Sequence, residues 1–194
     1  FTSTMIYKKR VIQMGEQPKS VFNVGSLGVD NLQKLNLIDL KTLQKTLNFQ
    51  FKSKNIMVTY HPVSLNENPV DGINILLNAL KNFKDIGIIF TYPNADILGT
   101  EIIENILNFE KNNDNAKVYS NLGQIKYFSC LKCCNGVVGN SSSGIIEAPS
   151  LKTWTINIGS RQKGRVRAPS VFDVKTNKKE IINKLNFLLN DKKS

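Results

Sequence analysis

Apolar residues along the chain follow two alternating rhythms. Short runs that are apolar almost throughout stand at 55–60, 86–92, 116–119, 136–139 and 154–158, with a further candidate at 171–174. Between them, apolar residues recur three or four apart. Examples are Ile73, Leu76, Leu77 and Leu80 within 71–84, and Ile102, Ile103, Ile106 and Leu107 within 98–110. Ile125, Phe128 and Leu131 within 123–134 continue the pattern, as do Ile181, Ile182, Leu185, Leu188 and Leu189 within 178–189. The first rhythm predicts strands buried on both faces, the second amphipathic helices. A short helix is predicted after 136–139, stopping near Pro149. Strands and helices in alternation make a parallel sheet covered on both sides. The predicted fold class is therefore α/β, a Rossmann-like doubly wound parallel sheet. Ahead of this region, 5–14 reads as a helix ending at Gly15. Then come an apolar run at 21–24, a turn at Gly25-Ser26-Leu27-Gly28, and a helix over 39–48 carrying Leu40, Leu43 and Leu47.

The 194 residues suffice for one ordinary domain, or for one and a fragment of another. The chain opens on Phe1, and Phe-Thr-Ser-Thr reads like a strand end running into a helix cap. A start in the middle of a larger protein is expected. No apolar run approaches the roughly 20 residues of a membrane helix, and 1–10 has no secretory core, so no membrane partner is expected. The net charge of +11 invites a nucleic-acid reading. Against it, only four of the 26 basic residues are arginine, and no aromatic stripe accompanies them. Three of the four, Arg161, Arg165 and Arg167, crowd one stretch, which suggests a local site for a small anion. Cys130, Cys133 and Cys134 fall in a helical pattern without a second pair, and the sole histidine, His61, is distant in sequence. Buried free thiols in a reducing cytosol, with no metal, are the expectation.

Ligands of doubly wound sheets bind beyond the carboxyl ends of the strands. The residues there are His61 and Pro62, Pro93 and Asn94, Ser120 and Asn121, 140–144 and 159–167. Gly139-Asn140-Ser141-Ser142-Ser143-Gly144 follows a strand and opens a helix. Small residues, hydroxyls and main-chain N–H groups there suit a phosphate; the alternative is a serine-rich cap. Glu147, one turn on, can accept from ribose hydroxyls or simply favour the helix start. His61 suits phosphate binding, proton transfer or a structural role. The carboxylates near strand ends, Glu67, Asp71, Asp96 and Glu147, sit on separate loops, so no acid–base pair is visible.

The run Val137-Val138-Gly139-Asn140-Ser141-Ser142-Ser143-Gly144-Ile145-Ile146-Glu147-Ala148-Pro149-Ser150, followed by Thr155 to Arg165, resembles the hydrolysing UDP-N-acetylglucosamine 2-epimerases. The nearest branch is the bacterial one supplying sialic-acid- and legionaminic-acid-type sugars. Phe22 to Ser26, Thr59 to Val63 and Tyr92 to Asp96 match that family in the same order. One departure is Leu151-Lys152-Thr153-Trp154, where the family often has a Gly-Ile-Pro or Gly-Thr-Pro turn. The resemblance implies a cytoplasmic GT-B-type enzyme of two Rossmann-like domains with a UDP-sugar in the cleft. Residues 1–20 would end the first domain, 21–176 would form the nucleotide-binding domain, and 177–194 a helix returning towards the first. It further implies anti elimination of UDP and addition of water with inversion at C2, giving an N-acetylmannosamine-type sugar without metal or redox cofactor. By the same match His61 would lie near the diphosphate and Asn94 on the nucleotide side. Ser142 and Ser143 would hold phosphate, Glu147 the ribose and Arg161 the nucleotide. No catalytic residue is expected in this chain, since the family's acid and base carboxylates belong to the first domain. A homodimer or homo-oligomer is implied for the full-length form. A GT-B glycosyltransferase domain is the alternative enzyme reading, and a basic nucleic-acid-binding module the non-enzymatic one.

Overall fold

The computed structural model describes residues 1–63, 70–93 and 99–190. Contacts divide the chain into two units, Phe1–Asn36 and Leu37–Ser194. In the first, Thr2 and Asn23 form a parallel bridge. The Thr2 N–H donates to the Phe22 carbonyl (2.8 Å) and the Val24 N–H to the Thr2 carbonyl (2.9 Å). Helix α1 (Met5–Gln13) lies between the two runs and is capped by Thr4, whose hydroxyl accepts from the Tyr7 N–H at 3.1 Å. The turn expected at 25–28 is narrower than the sequence suggested. Only Gly25 is left-handed (φ 83°), and Ser26 already opens helix α2 (Leu27–Lys34). Asp30 in its first turn and Lys34 in its last match the helix dipole, a local preference that the apolar pattern alone does not register.

The second unit begins with α3 (Leu40–Leu47), capped by Asp39 and stopped by Asn48 in the left-handed conformation. The elements then alternate as expected: β1 (Asn55–Thr59), α4 (Asp71–Leu80), β2 (Gly87–Thr91), α5 (Gly99–Lys111), β3 (Ala116–Tyr119), α6 (Gly123–Cys133) and β4 (Gly136–Gly139). After them come α7 (Ser143–Ile146), β5 (Trp154–Ile158), β6 (Val171–Val174) and α8 (Lys178–Asn190). Helix α4 is shorter than its apolar pattern. The Asn82 side-chain amide takes the carbonyls of Asn78 (3.3 Å) and Ala79 (2.9 Å), offering the backbone an alternative to another helical turn. Helix α7 is a single turn, and Pro149 starts a 3₁₀ turn over Ala148–Leu151. Lys152 replaces the glycine turn of the family pattern by adopting a left-handed conformation (φ 56°). The Thr153 hydroxyl anchors this entry to β5 on the Leu131 carbonyl at 3.0 Å.

All six strands are parallel, in the order β3-β2-β1-β4-β5-β6. β1, β2 and β4 are buried at every position, as expected of strands covered on both faces. Ile56, Val58, Ile88 and Phe90 meet Ile73, Leu76 and Leu80 of α4, Ile102 and Ile106 of α5, and Leu185 and Leu188 of α8 in one core. Burying each such side chain contributes roughly 1.5–3 kcal/mol. Met57, Ile89 and Val137 alternate to the other face, where α6 packs on β1 and α3. The chain reverses its direction of winding between β1 and β4. That is the switch point at which doubly wound sheets bind ligands.

Candidate functional site

A cavity of about 450 Å³ opens at this switch point. Thr59 and His61 reach it from the end of β1, Thr91 and Tyr92 from the end of β2, and the loop 120–124 from the end of β3. Ser141, Ser142, Ser143 and Glu147 enter from beyond β4, and Tyr127 and Phe128 from α6. The topology thus gathers loops that are far apart in sequence. The hydroxyls of Thr59 and Thr91, on neighbouring strands, bond to each other in the floor.

Gly139 makes the exit from β4 possible. Its φ of 141° is closed to most side chains, and a Cβ there would collide with the Thr59 carbonyl oxygen. The backbone therefore turns out of the sheet into the serine loop. Gly144 lies against Thr155, whose hydroxyl donates to the Gly144 carbonyl at 2.6 Å, so the single turn of α7 is seated directly on β5. One turn carries little dipole, and the polar character here comes from hydroxyls and main-chain N–H groups.

Around the cavity the polar groups form a connected set. The Tyr127 hydroxyl donates to Ser143 Oγ at 2.7 Å. Burial pushes Tyr127 up to about 12, with the Ser143 hydrogen bond opposing the shift and the Glu147 carboxylate adding to it. The phenol therefore stays protonated at neutral pH. Burial also raises Glu147, offset in part by the Ser143 hydroxyl beside it. The other carboxylate oxygen, Oε2, is buried without a hydrogen-bond partner among the described residues. This is an uncompensated buried acceptor, of the kind that sites retain for a ligand's donors.

His61, Ser142, Ser143 and Glu147, singled out from the sequence, thus line one cavity. Arg161 follows β5 on an exposed loop and does not line it; its Nη1 donates to the Asn140 carbonyl at 3.2 Å. Asn94 lies outside the described residues, as do Glu67 and Asp96. The three arginines do not form the single anion site suggested by their spacing. Arg167 is paired with Asp173 (3.0 Å) and also donates to the carbonyls of Arg165 (2.9 Å) and Gln162 (3.0 Å), so it ties its own loop together. Tyr127 was not legible in the sequence. It reads as one more position of an amphipathic helix, and its bond to Ser143 exists only because α6 packs beside the serine loop. Cys130 and Cys134 are buried and Cys133 half-buried. Among the described residues no cluster of His, Cys, Asp or Glu could hold a metal ion, and no helix is long and apolar enough to cross a membrane.

Comparison with known proteins places this geometry. The family profile described as UDP-N-acetylglucosamine 2-epimerase matches residues 1–194. The chain is 44% identical over 179 residues to a GDP/UDP-N,N'-diacetylbacillosamine 2-epimerase (hydrolyzing) of Campylobacter jejuni, covering 91% of this chain and 47% of that protein. It is 30% identical over 196 residues to the UDP-N,N'-diacetylbacillosamine 2-epimerase (hydrolyzing) of Legionella pneumophila, covering 100% of this chain and 51% of the other. The chain therefore spans about half the length of the curated relatives it matches. Among solved structures it is similar to a Methanocaldococcus jannaschii UDP-GlcNAc 2-epimerase in complex with UDP-GlcNAc and UDP. The TM-score is 0.75 at 19% identity, over 100% of this chain and 55% of that one. That likeness extends the shared fold to the whole chain.

Proposed function

Since the chain belongs to the UDP-N-acetylglucosamine 2-epimerase family, we propose that it forms the UDP-holding half of a hydrolysing nucleotide-sugar 2-epimerase. The observation that carries this reading is the buried, unpartnered Oε2 of Glu147 in the same cavity as His61 and the serine loop. A carboxylate accepts from the two vicinal hydroxyls of a ribose, while serine hydroxyls and an imidazole donate to phosphate. In this reading Glu147 holds the ribose, Ser142 and Ser143 together with His61 face the diphosphate, and Asn94 and Arg161 flank the nucleotide. Ser143 accepts from Tyr127 and turns its own hydroxyl proton to Glu147, which makes Ser142 the freer donor of the pair.

The complete enzyme would release UDP by elimination across C1–C2 and add water to the resulting glycal with inversion at C2. The acid and base are assigned to the half that this chain does not span. Among the described residues Glu147 is the single acidic residue of the cavity lining, so no two carboxylates meet there. The substrate favoured here is a UDP-diacetamido sugar, because the two relatives described are named for N,N'-diacetylbacillosamine. A role in supplying sialic-acid-type sugars, a cytoplasmic location and a homo-oligomeric full-length form complete the proposal. Calorimetry with UDP on the 194-residue chain is the test. Weak but saturable binding without turnover of UDP-N-acetylglucosamine or its diacetamido relative is expected. Absence of UDP binding at millimolar ligand would refute the site, and turnover would refute the division of labour.

A further inference from the structure

We infer that Asn140 is a positioning residue: its buried amide fixes His61 and the serine loop at one separation, which matters for binding if the cavity is the UDP site proposed above. The main-chain ladder between β1 and β4 runs through the Thr59–Gly139 pair. The Asn140 N–H still donates to the Thr59 carbonyl, at 3.2 Å, as the backbone swings away through Gly139. From there the Asn140 side chain takes over the role of a neighbouring peptide. Its Oδ1 accepts from the His61 N–H at 2.7 Å, and its Nδ2 donates to the His61 carbonyl at 2.9 Å. A carboxamide offers the same acceptor and donor as a peptide unit, so the pairing continues for one residue after the strands have parted. The chain beyond β4 is thereby free to become the serine loop while His61 remains locked to it.

The far side of Asn140 is held as well. Its carbonyl accepts from Gln162 Nε2 at 2.7 Å and from Arg161 Nη1 at 3.2 Å. Asn140 and Gln162 are 0% and 1% exposed. Water therefore does not compete for these bonds, and an unmade one leaves a buried polar group unpaired. One residue thus joins the loops after β1, β4 and β5, which carry His61, Ser141 to Ser143, and Arg161. Without it the imidazole and the hydroxyls would keep their identities and lose their common geometry.

His61 is the only histidine of the chain, so its imidazole resonances report this geometry directly. The experiment compares wild type, Asn140→Ala and Gln162→Met by UDP calorimetry, imidazole NMR of the free protein, and thermal midpoint. Alanine leaves room for water at His61, and methionine keeps the length of Gln162 without its donor. Asn140→Ala is expected to raise the UDP Kd at least tenfold and to shift the His61 resonances. Gln162→Met should raise the Kd about threefold and shift the same resonances less. A lower midpoint with unmoved resonances and unchanged Kd would show a merely structural residue and overturn the inference. If Asn140→Ala does not fold, Gln162→Met decides by the same criteria. If wild type does not bind UDP, the functional reading falls, and the His61 resonances of the two variants alone decide the positioning role.

Discussion

Replacing Glu147 by Gln should strengthen the fold and weaken the site at once. Burial raises the Glu147 carboxyl pKa, and the Ser143 hydroxyl only partly offsets it. The folded state therefore binds its proton more tightly than the unfolded chain does. Between the unfolded pKa and the raised folded one, the folded state carries more proton, so stability falls as pH rises through that window. Above the folded pKa the full penalty of a buried charge is present. Glutamine has nearly the same shape, still accepts from Ser143, and carries no charge. The midpoint of Glu147→Gln should thus exceed wild type at pH 7.5, by about 2–4 °C for each kcal/mol gained in a unit of this size. The difference should shrink as pH is lowered through the raised folded-state pKa, where the wild-type carboxylate takes up its proton. UDP binding should move the other way. A hydrogen bond to a charged acceptor contributes about 1.5–3 kcal/mol, so the Kd should rise about tenfold to a hundredfold. Scanning calorimetry at several pH values and titration with UDP read the two effects separately. A midpoint below wild type at pH 7.5, or an unchanged UDP affinity, would refute the reasoning.

Two further outcomes are expected. Gly139→Ala places a methyl group against the Thr59 carbonyl at a left-handed backbone position. It should destabilise by about 2–4 kcal/mol in urea titrations; a change below about 1 kcal/mol would mean that the turn relaxes freely. Cys130 is fully buried and its thiol is pushed up to about 12 by burial, with Cys133 adding to the shift. Iodoacetamide at pH 8 should therefore label Cys133 first and leave Cys130 unmodified until denaturant is added; early labelling of Cys130 by mass spectrometry would contradict its burial.

The alternation of nearly all-apolar runs with helical spacing determined the α/β class and placed the strands within a residue or so, because a strand buried on both faces has few polar positions to blur it. Gly139, the serines and Glu147 were equally legible, since a run of small residues between a strand and a helix lets the backbone turn sharply and come close to a ligand. Local competition for backbone groups lay beyond the apolar pattern: Asn82 stopping α4, Lys152 standing in for a glycine, Ser26 opening a helix where a turn was expected. Charge spacing misled where pairing decided, for Arg167 closes on Asp173 instead of joining Arg161. What only the tertiary structure decided is which distant groups meet. The strand order brings the ends of β1 and β4 side by side, so that Asn140 can hold a residue 79 positions away and Tyr127 can reach Ser143. Such bonds depend on registry between elements that no local pattern encodes, because the partners come from segments far apart in sequence that only the sheet order brings together.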